Sequence, residues 1–260
     1  MGVLSNMIAR EELKPGDHIY SWRLAYIYAH HGIYTGDGMV IHFTRGAGQE
    51  TGTGTLLDRL LVSSSPPQNI DNPCPKCGEQ TRLDGGVMAS CLDCFLFGGK
   101  LYRFEYGVSS VFFLAKARGG TCTLASSDPP EDVLHRAMFL LENGFGVYNS
   151  FKNNCEDFAI YCKTSLLLVS SSSVGRSGQA ASYVASAETV VSMPLLSLTT
   201  CSSGLAMVGY GIVSVGRYYV SRLRSDIGVR RDVSKVPVEK LVGQLGLDEP
   251  AKTTGMKKED

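Results

Sequence analysis

The sequence predicts an α+β fold in which an antiparallel sheet carrying histidines packs against a helix that opens with a cysteine. Three observations point to it. Short runs of β-branched and aromatic residues at 18–22, 30–34 and 39–43 are separated by turn residues. Two later stretches read as helices, one opened by Asp128 as a candidate N-cap with apolar residues on one face, the other beginning near Asn154-Cys155-Glu156. Between them stand two matching Cys-x-x-Cys pairs, Cys74/Cys77 and Cys91/Cys94.

In chain order, Lys14-Pro15-Gly16-Asp17 is a turn that leads into the first strand. Thr35-Gly36-Asp37-Gly38 joins the second and third strands as a hairpin, because Asp-Gly suits two residues at positive φ. Residues 45–72 are rich in Gly, Thr and Ser, with 56–62 a candidate short helix. Residues 101–106 and 110–116 read as strands. Asp128-Pro129-Pro130-Glu131 opens a helix with Asp128 as N-cap. Val133, Leu134, Ala137, Met138, Leu140 and Leu141 form its apolar face, and Asn143-Gly144 ends it. The helix starting near Asn154 carries Phe158, Ala159 and Cys162.

Beyond residue 168 the composition shifts to small residues, and no charge occurs from Thr189 through Gly216. That stretch is long enough to cross a bilayer, but only about half of it is strongly apolar and Pro194 interrupts it. Arg217, Arg222, Arg224, Arg230 and Arg231 follow, a pattern suited to a cytosolic membrane surface; a small-residue hairpin packed on the domain is the other reading. The chain therefore divides into a segment 1–12, a domain 13–165 with an insertion at 74–94, an apolar segment 166–231, and a polar tail 232–260 with one amphipathic patch at 238–247.

The chemistry-bearing residues stand out against a neutral background. In 260 residues, 25 basic side chains balance 25 acidic ones, which argues against a nucleic-acid partner. Residues 1–12 lack a secretory or transit signal, so a cytoplasmic, reducing location is expected. Gly2 falls one residue short of a myristoylation motif, because Asn6 stands where Ser or Thr is required. In that setting Cys74, Cys77, Cys91 and Cys94 read as ligands of one structural zinc ion rather than as two disulfides or a redox pair. Cys155 sits at a helix start, where the dipole favours thiolate. A thiol nucleophile needs a base, and His30 and His42 lie on neighbouring strands where one could orient the other. His31 should face the opposite side from His30. Inert packing of Cys155, or a catalytic zinc held by His30, His42 and Cys155, would satisfy the same composition. His18 and His135 read as structural.

The wording of these motifs resembles the lecithin:retinol acyltransferase domain family. The resemblance rests on Leu13-Lys14-Pro15-Gly16-Asp17-His18-Ile19, His30-His31-Gly32-Ile33-Tyr34, Gly36-Asp37-Gly38 through His42-Phe43, and Asn154-Cys155-Glu156-Asp157-Phe158, in the family's order from about residue 13 to 165. Its plant-type members, the lead-sensitive group among them, look most similar. The resemblance implies a permuted NlpC-type, papain-like domain, with Cys155 as nucleophile, His30 as general base and His42 orienting it. It further implies a thiol acyltransferase or phospholipase that takes acyl groups from a phospholipid, with a membrane surface as partner. A thiol peptidase or amidase and a non-catalytic adaptor are the competing classes. The Cys74–Cys94 insertion departs from the familiar animal acyltransferases, as does the long serine-rich C-terminal stretch.

Overall fold

The three histidine-bearing runs pair as expected, and the alternation of their side chains sets everything built on them. In a computed structural model, the described residues are 6–23, 28–44, 74–78, 86–116, 118–149, 153–168, 178–179, 182 and 204–247. The candidate helix at 56–62, most of the charge-free stretch including Pro194, Gly2 and Cys201 lie outside them. Strands β1 (His18–Arg23), β2 (Tyr28–Gly36), β3 (Met39–Thr44), β4 (Gly86–Cys91) and β5 (Tyr102–Arg103) form one antiparallel sheet in the order β4-β3-β2-β1-β5. The β2–β3 turn holds Asp37 and Gly38 at φ of 48° and 72°, the paired positive dihedrals that Asp-Gly supplies.

The register opposes Ser21 to His30, Gly32 to His42, and Val40 to Ser90. Opposed residues share a face and neighbours along a strand alternate. One face therefore carries Ser21, His30, Gly32, Val40, His42 and Ser90. Helix α1 (Leu92–Leu96) covers it, packing Leu92, Phe95 and Leu96 against Ile19, Val40 and Leu101. The other face carries His31, Ile33, Ile41 and Phe43. It packs on the longer helices α3 (Pro130–Asn143) and α4 (Cys155–Thr164) through Val133, Ala137, Leu140, Phe158, Ala159 and Cys162.

Local sequence decides most of the helix ends. Asn154 caps α4, its side chain accepting from the N–H groups of Glu156 and Asp157, while the Asp157 carboxylate accepts from the Asn154 N–H. Gly144 ends α3 at φ 85°. At the start of α3 the cap is Pro129, not Asp128. The Asp128 carboxylate is engaged instead by Arg136 at 2.9 Å and Lys235 at 2.5 Å, so it ties the helix to a distant strand. The buried stripe of α3 is narrower than its apolar pattern suggests, with Met138 exposed and Arg136 buried, donating to the Cys162 carbonyl at 2.8 Å.

Two further expectations are corrected. Residues 110–116 are not a strand: Ser110–Ala115 forms α2, whose N-cap Ser109 accepts from the Phe112 N–H. A four-residue apolar run fits a helical turn as well as a strand, and the serine cap decides it. Of 101–106, only Tyr102–Arg103 joins the sheet. Past helix α5 (Gly204–Ser225), the part of the tail from Val233 is ordered on the body. Strand β7 (Val233–Lys235) pairs with β6 (Leu166–Leu168), and helix α6 (Val238–Leu247) covers the amphipathic patch and places Val238 and Leu241 in the main core.

Gly32 shows how tightly the histidine face is filled. A Cβ there would fall 2.7 Å from Val40 Cγ1, 2.9 Å from Phe95 Cε2 and 3.1 Å from His42 Cβ. Gly32→Ala should destabilise the fold by about 1–3 kcal/mol through overpacking, read as a lower urea midpoint at unchanged slope. A variant as stable as the parent would contradict this packing.

Candidate functional site

The site is built where β2 runs on past its pairing with β3. The resolved β2–β3 register ends at Gly32 opposite His42, so the β2 backbone from Ala29 to His31 is open to other partners on that side. Helix α4 starts here. Cys155, its first residue, is 3% exposed, and its S–H donates to the Ala29 carbonyl at 3.8 Å. The His31 backbone N–H and the Tyr148 hydroxyl donate to the same sulfur.

On the α1 side of the sheet, His30 Nε2 meets His42 Nδ1 at 3.0 Å, and His42 Nε2 meets Ser90 Oγ at 2.9 Å. The Phe95 ring lies over both imidazoles, its centroid 5.2 Å from that of His30 and 5.5 Å from that of His42. His30 Nδ1 is buried and has no hydrogen-bond partner among the described residues. Burial, then the neighbouring His42 and Arg23, hold His30 well below its ordinary pKa; burial, then Arg23, takes His42 down to about 3. Both rings are therefore neutral. A neutral pair can be polarised in two ways, and one would leave a buried His30 Nδ1–H without an acceptor. An orphaned donor is rarer in proteins than an under-used acceptor. The favoured arrangement has His42 Nε2–H donating to Ser90, His30 Nε2–H donating to His42, and a free lone pair on His30 Nδ1.

Cys155 departs from the expectation of a preformed thiolate. Burial pushes its thiol up to about 12, outweighing the hydrogen bond from His31. The side chain of Asn154 also takes the Glu156 and Asp157 N–H groups, which removes two of the donors that make a helix start electropositive. At rest the Cys155 thiol is neutral and bonded to the backbone on either side of His30, whose imidazole is neutral too.

As strand alternation requires, His31 turns to the opposite face from His30. There its Nδ1 meets His18 Nε2 at 2.8 Å, His18 Nδ1 meets the Tyr106 hydroxyl at 2.7 Å, and His31 Nε2 meets Gln179 Nε2 at 2.9 Å. His135 is exposed and pairs with Glu239 at 3.1 Å. Three participants escaped sequence reasoning. Ser90 anchors His42, and Arg23 donates to the carbonyls of Phe95 and Leu96 at the end of α1. The Gln179 carboxamide accepts from the Ala29 N–H at 2.6 Å and donates to its carbonyl at 3.1 Å, filling the place of a strand partner. A single Ser, Arg or Gln carries no local signal; only the strand register and the fold bring them in.

The four predicted ligand cysteines converge. Cys74 and Cys91 Sγ are 3.9 Å apart, Cys77 and Cys94 Sγ 3.8 Å apart, and all four sulfurs lie within 4.8 Å of one another. None of them is in a disulfide. A tetrahedral ion with metal–sulfur bonds of about 2.3 Å requires sulfurs about 3.8 Å apart, so these cysteines can hold a metal ion. Among the described residues they are the one such cluster, and His30, His42 and Cys155 do not form another.

Comparison with known proteins agrees with the motif reading. The family model for lecithin retinol acyltransferase matches residues 11–168. The chain is 58% identical over 246 residues to Protein LEAD-SENSITIVE 1 of Arabidopsis thaliana, a match covering 94% of this chain and 92% of that protein.

The buried imidazoles make stability pH-dependent. His18, His30, His31 and His42 are all held below the ordinary value of 6.5 by burial. Below that pH the unfolded chain binds protons that the folded chain refuses, so stability is full above about pH 6.5 and falls as the solution is acidified. The slope approaches about 1.4 kcal/mol per pH unit for each histidine. Urea unfolding at pH 7.5 and 5.5 should show a clear loss at the lower pH; equal midpoints would contradict neutral burial.

Proposed function

The chain belongs to the lecithin retinol acyltransferase family, and from that premise we propose that it is a thiol acyltransferase or phospholipase working through a Cys155 thioester. One observation carries the proposal: the lone pair of His30 Nδ1 is buried without a partner, on a ring whose other nitrogen is fixed by His42. A buried polar atom left unsatisfied costs about 1–3 kcal/mol, and such strain persists where function uses it. The Cys155 thiol, seated on the backbone on either side of His30, supplies the proton that this nitrogen lacks.

In the proposed reaction the Cys155 S–H proton moves to His30 Nδ1 as the sulfur attacks an ester carbonyl. With the next two N–H groups taken by Asn154, the Cys155 N–H is the first-turn donor left to hold the oxyanion. Collapse breaks the ester bond, the leaving alcohol takes the proton from His30, and the acyl group stays on sulfur. Water, an amine or an alcohol then gives its proton to His30 and attacks the thioester, and the proton returns to the departing thiol. His42 and Ser90 keep the His30 ring in its reactive tautomer throughout. The domain is read as a permuted NlpC-type, papain-like fold.

A phospholipid ester is the donor that family membership favours. Helix α5 is consistent with work at a lipid surface: Ile212, Val213, Val215 and Val220 are exposed beside the exposed Arg217 and Arg224, whereas Arg222 turns inward, buried over the Phe113 ring and donating to the Lys116 carbonyl. Among the described residues no helix is long and apolar enough to cross a membrane. The proposal is attachment at a cytosol-facing surface. The four-cysteine centre is read as structural zinc, since a closed sulfur shell leaves no position for substrate.

Labelled phosphatidylcholine incubated with the protein should give an acyl adduct by intact mass that is absent in Cys155→Ala. Its rate of formation should fall about 10²–10⁴-fold in His30→Gln, as expected for loss of a general base. A labelled amide substrate tests the peptidase alternative. No adduct, under conditions that label an active relative, overturns the acyltransferase reading in favour of a binding domain. Separately, metal analysis should find about one zinc per chain, lost in a Cys74→Ser/Cys77→Ser double variant; zinc-free native protein would refute the assignment.

A further inference from the structure

We propose that metal occupancy of the four-cysteine site sets the geometry of the His30–His42 pair, with Ser90 as the positioning residue that transmits it. The proposal rests on reading His30 as the base of Cys155, and it concerns what keeps that base aligned.

The metal site and the histidine pair share one short piece of chain. Ser90, fully buried, holds His42 Nε2 at 2.9 Å and is bonded directly to Cys91. Phe95, 1% exposed and lying over both imidazoles, is bonded directly to Cys94. The two ligands thus bracket a segment whose flanking residues touch the two histidines. Displacing either sulfur by a fraction of an ångström moves a group in contact with the pair.

That segment has little means of holding itself. Helix α1 has five residues, about one turn and a half, and a helix so short is unstable on its own. Beyond its apolar contacts, α1 is fixed at its C-terminal end by the Arg23 guanidinium, which donates to the carbonyls of Phe95 and Leu96 and to Ser21 Oγ. At its N-terminal end the Leu92 N–H donates to the Gly38 carbonyl at 2.8 Å and Cys91 pairs with Met39, and beside them are Asp93, in exposed pairs with Arg10 at 2.7 Å and Lys76 at 2.6 Å, and the sulfurs of Cys91 and Cys94 facing Cys74 and Cys77. Exposed ion pairs contribute little. The sulfur–metal bonds are the strong fastening there, and they reach to a separate turn at residues 74–78. With the ion bound, Ser90 and Phe95 are held against the histidines. Without it, four closely spaced thiols have no common partner, and the end of β4 and the start of α1 keep only the pairing of Ser90 and Cys91 with Val40 and Met39 and the Leu92–Gly38 bond, which fix the backbone but not the side chains turned to the histidines.

Imidazole ¹⁵N spectra read the coupling directly, whether or not the protein transfers acyl groups. Zinc-loaded protein should show His42 in the Nε2–H tautomer. Stripping with a chelator should shift or broaden the His30 and His42 signals, leave those of His18 and His31 in place, and lower the acylation rate at least tenfold, both reversed by added zinc. Because stripping could disturb folding more widely, Cys74→Ser supplies a second measurement. It alters the ligand turn remote from the histidines, and zinc titration of this variant should move the His42 signal along the same path. Ser90→Ala should retain zinc yet lose the fixed His42 tautomer and about 10–100-fold in acylation rate, the usual effect of removing an orienting hydrogen bond, with Ser90→Thr restoring both. His42 signals indifferent to zinc in both the parent and Cys74→Ser would overturn the proposal. So would a Ser90→Ala protein with an unchanged tautomer. If no form of the protein is acylated while the His42 signal still follows zinc, the enzymatic reading fails and the coupling stands.

Discussion

A neutral imidazole buried with one nitrogen unused is the constraint around which the site is arranged. Water would satisfy His30 Nδ1 at once, and charge on the ring is opposed first by burial and also by the nearby Arg23 guanidinium. Keeping the ring dry and uncharged needs a lid, a fixed partner for Nε2 and a strand that admits no side chain beneath. Phe95 is the lid, His42 backed by Ser90 is the partner, and Gly32 leaves the space in which Phe95 and His42 approach. Each element is small, and each follows from the antiparallel register of β2 with β3 and of β3 with β4.

The same constraint accounts for the thiol. A sulfur at a helix start is commonly activated by the backbone dipole, but here Asn154 has claimed the donors and burial raises the pKa to about 12. In the proposed mechanism a neutral thiol suits a neutral base, because the proton would move only when the substrate is in place and the developing charge is met.

What the sequence disclosed was what local rules determine. Asp37-Gly38 fixed the hairpin, the run at Asn154-Cys155-Glu156 marked where α4 begins, and two Cys-x-x-Cys turns announced sulfurs that the fold brings within 4.8 Å. The amphipathic patch at 238–247 became a helix of those bounds, since its apolar spacing had a core to meet. What stayed hidden depends on partners far along the chain. Asp128 looks like a cap until Arg136 and Lys235 are seen to hold it, and a strand-like apolar run at 110–115 becomes a helix behind Ser109. Ser90 and Gln179 have no signature at all; strand register delivers one and a docked segment the other.

Adjacent histidines on one strand then acquire different capacities from a single geometric fact. Alternation sends His30 toward α1 and His31 toward α4, so the two rings meet different neighbours. Both nitrogens of His31 are engaged, by His18 and by Gln179, and its relay ends in the Tyr106 hydroxyl; nothing on that ring is left to accept a proton. On His30 only Nε2 is engaged. The difference does not lie in exposure or in pKa direction, which the two share. It lies in one missing hydrogen bond among the described residues, and on the proposed mechanism the nitrogen that lacks it is the one that takes the proton.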